Sequence, residues 1–256
     1  MIVAAAIAPH GTPAFSPGPT RDGLEEIGRR VLAAAADAIV VVTPHNVHLE
    51  GHFAVVTAGT VGGSLAEWGE PDRELSREVD RGLAAAIRDR ARRDGLPVVA
   101  VSYGGNDEQT AVAPLDWGAL IPLAFLPELP VVLVSPARDR PLEEHVALGR
   151  SLAAASGSRR VVLVASADHG HAHDPDGPYG FDPAAARYDE QVVELVRSNQ
   201  LVRLPELEAI VDAAKADSLW QLLVLQGAVG DGYAAELLSY EAPTYFGMLC
   251  AAYAPA

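Results

Sequence analysis

Cysteine is almost absent from this chain. Cys250 stands alone among 256 residues, so no intramolecular disulfide can form, and a reducing, cytoplasmic setting is the expectation. Positive charge is also scarce. Nineteen Lys+Arg face 34 Asp+Glu, giving a formal net charge of −15. Such a field repels phosphate backbones and anionic lipid surfaces over a Debye length, so neither nucleic acid nor a membrane is an expected partner. The apolar start at residues 2–8 is too short to span a bilayer and has no basic stretch before it, so no secretory leader is expected either. No Ser/Gly/Pro linker divides the chain and no internal repeat has a usable period, so residues 1–256 read as one domain. What remains is ample for a core: 49% apolar residues and only 21% charged ones exclude a disordered chain.

Short apolar runs of strand length recur at residues 2–8, 38–42, 53–58, 98–101, 131–134 and 161–165. They are nearly continuous in Val, Ile and Ala, the pattern of strands covered on both faces. Helical periodicity lies between them, at residues 24–32, 71–93 and 141–155, and dominates later at 183–198, 204–214 and 218–229 before a last strand at 247–253. The alternation predicts an α/β fold: a central, mostly parallel or mixed sheet with helices on both faces.

In open α/β sheets, ligands bind beyond the carboxyl ends of the strands. The first run ends Ala8-Pro9-His10 and the second Thr43-Pro44-His45, so two strands deliver a Pro-His pair to one edge of the sheet. The sixth ends Ser166-Ala167-Asp168-His169-Gly170-His171-Ala172-His173, and five of the eight histidines thus follow strand ends. Neutral imidazole is a common ligand for Fe, Zn, Ni and Cu, and a preceding proline stiffens the loop that aims it. Spacing alone therefore gives a metal site with two His ligands and an unidentified third.

Those three segments, together with Tyr240-Glu241-Ala242-Pro243-Thr244-Tyr245-Phe246-Gly247, resemble the class III, LigB-like, extradiol ring-cleavage dioxygenases, from the first strand to the last. The resemblance implies a non-haem Fe(II) held by His10, His45 and Glu241, a small aromatic substrate cleaved with O2, and a homo-oligomer. It also implies that His171 is the acid and base. A 2-His-1-carboxylate set leaves adjacent positions open for a chelating catechol and for O2, and keeps one residual positive charge on the ion, which favours ionised hydroxyls. Mn(II) and Zn(II) suit the same ligands. Without the resemblance, Glu241 reads as an ordinary helix-end carboxylate.

The family's further substrate-contacting histidine falls, in the stretch Leu115 to Leu123, on Trp117. Indole stacks and donates one hydrogen bond but carries no proton. Trp117 is thus expected to line the substrate cavity, with His169 as a second catalytic imidazole and His173 as a substrate contact to compensate. Asp168 either orients a histidine or caps a turn. His48 and His52 read as pocket edge or surface, His145 as a solvated helix residue, and residues 103–107 as a glycine turn beside the pocket. A Memo-like, metal-binding protein without ring cleavage is the alternative, since Ser166, Asp168 and His171 also match that branch's Ser-x-Asp-x-x-His loop.

Overall fold

The apolar runs form strands whose two faces serve two different helix layers. The computed structural model describes residues 1–104 and 107–256. Its strands are β1 (Ile2–Ala8), β2 (Ala38–Val42), β3 (Phe53–Val56), β4 (Thr60–Leu65), β5 (Glu70–Glu78), β6 (Val98–Val101), β7 (Val112–Pro114), β8 (Val131–Ser135), β9 (Val161–Ser166), β10 (Tyr233–Glu241) and β11 (Met248–Pro255). The helices are α1 (Pro19–Ala33), α2 (Arg81–Arg93), α3 (Trp117–Leu123), α4 (Leu142–Ser156), α5 (Pro183–Arg197), α6 (Glu208–Ala214) and α7 (Leu219–Val229). Eight strands make one mixed sheet in the order β10-β11-β1-β9-β2-β8-β3-β6, and β5-β4-β7 make a small second one. The four central strands β1, β9, β2 and β8 are mutually parallel, while β11 and β3 run against them. The fold is therefore α/β with a mixed sheet between helices.

Successive strand residues point to opposite faces, and the packing follows. Val40 and Val42 join a cluster with Leu83, Ile87, Leu148 and Leu222 of α2, α4 and α7. Ile39 and Val41 join another with Leu24, Ile27, Leu120 and Ile121 of α1 and α3. Each such side chain contributes roughly 1.5–3 kcal/mol on burial, which is why these runs show no polar alternation. Helix α7, Leu-Trp-Gln-Leu-Leu-Val-Leu-Gln-Gly-Ala-Val, is buried along most of its length between the sheet and α4. Gly149 and Gly227 permit that contact: a Cβ on either would lie 2.0 Å from a backbone oxygen of the other helix.

Two sequence readings are corrected. Residues 71–93 do not form one long helix. Residues Arg73, Leu75 and Arg77 are half-buried while their neighbours are exposed, a period of two that belongs to the strand β5, and α2 starts only after Asp80 caps the Leu83 N–H at 2.9 Å. His145 is not solvated. It is buried in α4, its Nδ1–H donates to the Pro141 carbonyl at 3.1 Å, and its ring lies edge-on to Phe53.

Burial pulls the His145 imidazole down to about 4, against about 6.5 in an unfolded chain. Between those values the unfolded chain binds a proton that the folded one refuses. Stability is therefore complete above pH 6.5 and is lost as the pH falls toward 4, by up to about 3 kcal/mol. His145→Leu is expected to flatten this dependence in urea unfolding at pH 7 and 4.5. An equal loss in both proteins would assign the acid sensitivity elsewhere.

Among the described residues no helix is long and apolar enough to cross a membrane.

Candidate metal centre

The carboxyl ends of β1, β9 and β2 are neighbours in the sheet, so the segments that follow them meet. His10 Nε2 and His45 Nε2 lie 3.1 Å apart. The third member of the cluster is Asp217, whose Oδ2 is 3.5 Å from His10 Nε2 and 3.3 Å from His45 Nε2. Asp217 lies in the short segment between α6 and α7. The loop after β9 draws that segment in, because the His171 N–H donates to the Ala214 carbonyl at 2.8 Å.

The expected third ligand, Glu241, is not in this cluster. Glu241 closes β10, and β11 stands between β10 and β1. Its Oε1 instead accepts the Thr20 N–H at 3.0 Å and the Thr20 hydroxyl at 2.6 Å. There it stands in for a capping side chain at the start of α1, where Gly18 supplies none.

The three donor atoms fit a divalent ion. Donors about 2.1 Å from a metal are about 3.0 Å apart at a right angle and about 3.4 Å apart at the tetrahedral angle, close to the separations of 3.1, 3.3 and 3.5 Å here. Hydrogen bonding also prepares the ring of His10. The Ser166 hydroxyl donates to the Gly118 carbonyl, so its oxygen accepts from His10 Nδ1–H at 2.9 Å. That fixes the tautomer with the Nε2 lone pair facing Asp217 and His45. Asp217 Oδ1 is buried with no partner among the described residues.

The electrostatics call for a cation. Burial pulls the His10 imidazole down, but Asp168, Asp217 and Asp116 outweigh it and hold its pKa at about 9. Burial also raises the Asp217 carboxyl, yet His10 and His45 hold it well below the ordinary carboxylate range. Buried negative charge gathered on two imidazoles is satisfied by protons or by a metal ion. Asp168 accepts the backbone N–H of His10 at 2.9 Å and so aims the loop rather than capping a turn.

Since Ser166 sets the tautomer of His10, a candidate ligand, Ser166→Ala is expected to leave the fold intact and to weaken metal binding by roughly 10 to 100-fold, read by competition against a chelator. Unchanged affinity would show that packing alone aims His10.

His45 is aimed from the other side. Asp116 caps α3 through the Ala119 N–H and accepts from Thr43 Oγ1 at 2.6 Å and from Asn46 Nδ2 at 3.0 Å, tying the exit of β2 to α3. The first residue of that helix, Trp117, stacks on His45 with centroids 4.2 Å apart, and Trp68 packs against Trp117. A cavity of about 370 Å³ opens over the cluster, walled by Trp68, Trp117, Tyr179, Tyr245, Phe246 and His171. His171 lies face to face with Phe246, and its Nδ1–H donates to the His169 carbonyl at 2.7 Å. A carbonyl only accepts, so the neutral ring keeps its Nε2 free to take a proton.

His169 and His173 do not line this cavity. His169 is fully buried, its Nδ1 on Ser218 Oγ at 3.0 Å. His173 reaches Asp189 Oδ2 at 2.8 Å, and the other oxygen of Asp189 accepts the Gly170 N–H. The loop departs from regular alternation here: His169 turns to Ser218 at the start of α7 and His173 to Asp189 of α5, and these two bonds anchor it. His48 and His52 are exposed. Gly105 and Asn106 of the glycine turn lie outside the described residues. The Cys250 thiol, pushed up to about 12 by burial, packs under α1 and is not part of the cluster. Sequence reasoning missed Asp217; the available signal was a carboxylate two residues before the most apolar helix among the described residues.

The family model described as the catalytic LigB subunit of aromatic ring-opening dioxygenase matches residues 5–249. Protein CA_C1420 of Clostridium acetobutylicum is 22% identical over 229 residues, 87% of this chain and 49% of that protein, so the chain spans about half the length of this curated relative. The crystal structure of uncharacterized protein JW3007 from Escherichia coli K12 shares the fold, with a TM-score of 0.66, 19% identity, and coverage of 98% of this chain and 99% of that one.

Proposed function

Because the chain belongs to the LigB family, that of the catalytic subunit of aromatic ring-opening dioxygenases, we propose that it is a non-haem Fe(II) extradiol dioxygenase acting on a catechol-like or aminophenol-like ring with O2. One observation supports this reading: the two imidazoles of a His/His/Asp cluster line an aromatic-walled cavity that has one further imidazole on its wall. His10, His45 and Asp217 are the residues that would hold the ion. Bound there, Fe(II) supplies a positive charge for the substrate's hydroxyls and open positions for O2. Mn(II) or Zn(II) fits the same donors.

The remaining work belongs to the chain. Trp68, Trp117 and Phe246 offer flat apolar faces to a ring and displace water from around it. His171 Nε2 takes a hydroxyl proton from the substrate and returns a proton later in the cycle, the task for which an imidazole is suited near neutral pH. Two neutral imidazoles leave the carboxylate of Asp217 as the single ligand charge, so the loaded site stays electropositive toward an ionised hydroxyl.

Protein loaded with Fe(II) under anaerobic conditions, then given a panel of catechols and aminophenols with O2, is expected to form a yellow ring-opened product with one equivalent of O2 consumed. Full metal loading without O2 uptake across the panel would overturn the reading in favour of a Memo-like metal-binding protein or a metal-dependent hydrolase. The observation behind that second reading is Trp117, stacked on a ligand where the resemblance expects another proton-carrying imidazole.

A further inference from the structure

Asp189 is a buried carboxylate on α5 that the proposed chemistry leaves without a task. Both of its oxygens are engaged. Oδ2 accepts from His173 Nε2 and from the Tyr240 hydroxyl, each at 2.8 Å. Burial and the Asp189 charge push the Tyr240 hydroxyl up, so it stays a donor. Oδ1 accepts from the Gly170 N–H at 2.7 Å. That N–H is one end of the His169–Gly170 peptide. The other end of the same peptide is the His169 carbonyl, which accepts from His171 Nδ1–H, also at 2.7 Å.

A trans peptide sets its N–H and C=O on opposite sides of one rigid plane. Carboxylate, peptide and imidazole therefore form one continuous chain of two hydrogen bonds. The plane is held from both sides. The His169 N–H donates to the Gly247 carbonyl at 2.9 Å, and the Gly247 N–H donates to the Gly170 carbonyl at 3.0 Å. Gly170 lets the loop lie against α5, since a Cβ there would stand 2.8 Å from Ala185 Cα. Gly247 leaves room for the carboxylate in the same way: a Cβ there would overlap Asp189 Oδ2.

We infer that Asp189 is a positioning residue for His171 and acts on it by a relay through the intervening peptide, much as the carboxylate of a Ser-His-Asp triad acts directly on its imidazole. The inference rests on the reading of His171 as the proton carrier. A carboxylate that accepts an amide N–H polarises the amide and makes its carbonyl a better acceptor. The ring gains twice from this. Its Nδ1–H is held, which fixes the tautomer and aims Nε2 at the cavity. When Nε2 takes a proton, the bond from Nδ1–H becomes charge-assisted, so the strengthened carbonyl favours the protonated ring over the neutral one.

Nuclear magnetic resonance of the purified protein, isotopically labelled in histidine and glycine, tests this without turnover. In the parent protein the His171 Nδ1–H and Gly170 N–H protons are both expected well downfield of ordinary histidine and glycine signals. Asp189→Asn keeps an oxygen for the Gly170 N–H but removes the charge, and should move both protons upfield. Tyr240→Phe removes a bond to the other oxygen and should move neither. Turnover is expected to divide in the same way. Asp189→Asn lowers kcat by roughly 10 to 100-fold with KM and metal content unchanged, whereas Tyr240→Phe costs stability in urea and keeps kcat. If Asp189→Asn does not fold, an ordinary position for either proton in the parent is enough to overturn the relay. A His171 proton that stays in place in Asp189→Asn overturns it too, as does an equal loss of kcat in Tyr240→Phe, which makes Asp189 a structural clamp. Shifted protons in a protein that opens no ring would keep the relay and remove the dioxygenase reading. Ring opening with unmoved protons would do the reverse.

Discussion

Asp217→Ala is expected to strip the protein of its metal, while Glu241→Gln leaves it loaded. The two carboxylates invite opposite assignments. Glu241 occupies the position that the family resemblance marks for a ligand, yet its Oε1 is engaged by the N–H and hydroxyl of Thr20. Asp217 carries no such mark, yet its Oδ2 lies within 3.5 Å of both imidazole nitrogens. Removing a donor outright should cost more than the roughly 10 to 100-fold that follows loss of a supporting hydrogen bond. Asp217→Asn separates charge from shape: it keeps an oxygen at the site and should bind metal weakly, between the parent and the alanine variant. Glu241→Gln should instead cost about 1 kcal/mol of stability, the worth of a helix cap, with metal content unchanged. Metal content is read on protein purified without added ions, and stability by urea unfolding. Metal loss in Glu241→Gln with retention in Asp217→Ala would reverse the assignment.

His171→Ala is expected to keep the metal and lose turnover by roughly 10² to 10⁴-fold, the usual contribution of a positioned proton carrier. The imidazole is fixed at Nδ1 by the His169 carbonyl and packed on Phe246, with Nε2 toward the cavity. It belongs to no group of donor atoms close enough to share an ion with His10 and His45. His171→Gln, which can donate and accept but cannot exchange a proton near neutral pH, should bind substrate well and turn over as poorly as the alanine variant. Loss of metal in both variants would make His171 a ligand and end its role as acid and base.

Much of the sheet was legible because its strands are buried on both faces and so read as unbroken Val, Ile and Ala runs. The two Pro-His pairs were legible for a related reason. Strand ends are positions that a sequence reveals, and parallel neighbours bring such ends together. Asp217 follows no strand. It lies on a link between two helices, and what brings it to the imidazoles is a tertiary contact, His171 N–H to the Ala214 carbonyl. No local pattern encodes that approach.

Glu241 stands apart from the imidazoles for the complementary reason. It does reach the correct edge of the sheet, but the order β10-β11-β1 puts a strand between it and His10, and strand order is not a property of local sequence. The charge-rich segment 71–93 was misread because two periodicities abut within it, the alternation of β5 and the helical repeat of α2. His169 and His173 were read as cavity residues because their spacing to His171 is regular. The loop is not a regular strand, and side-chain bonds to Ser218 and Asp189 turn these two rings away from His171.

Crystals of the protein grown with Zn(II) or, without oxygen, with Fe(II) would give an anomalous scattering peak that locates the ion directly. The predicted position is within bonding distance of His10 Nε2, His45 Nε2 and Asp217 Oδ2 together, with part of its coordination left to solvent on the side of the cavity. A peak bonded to Glu241, or one from which Asp217 stands clear, would contradict the account.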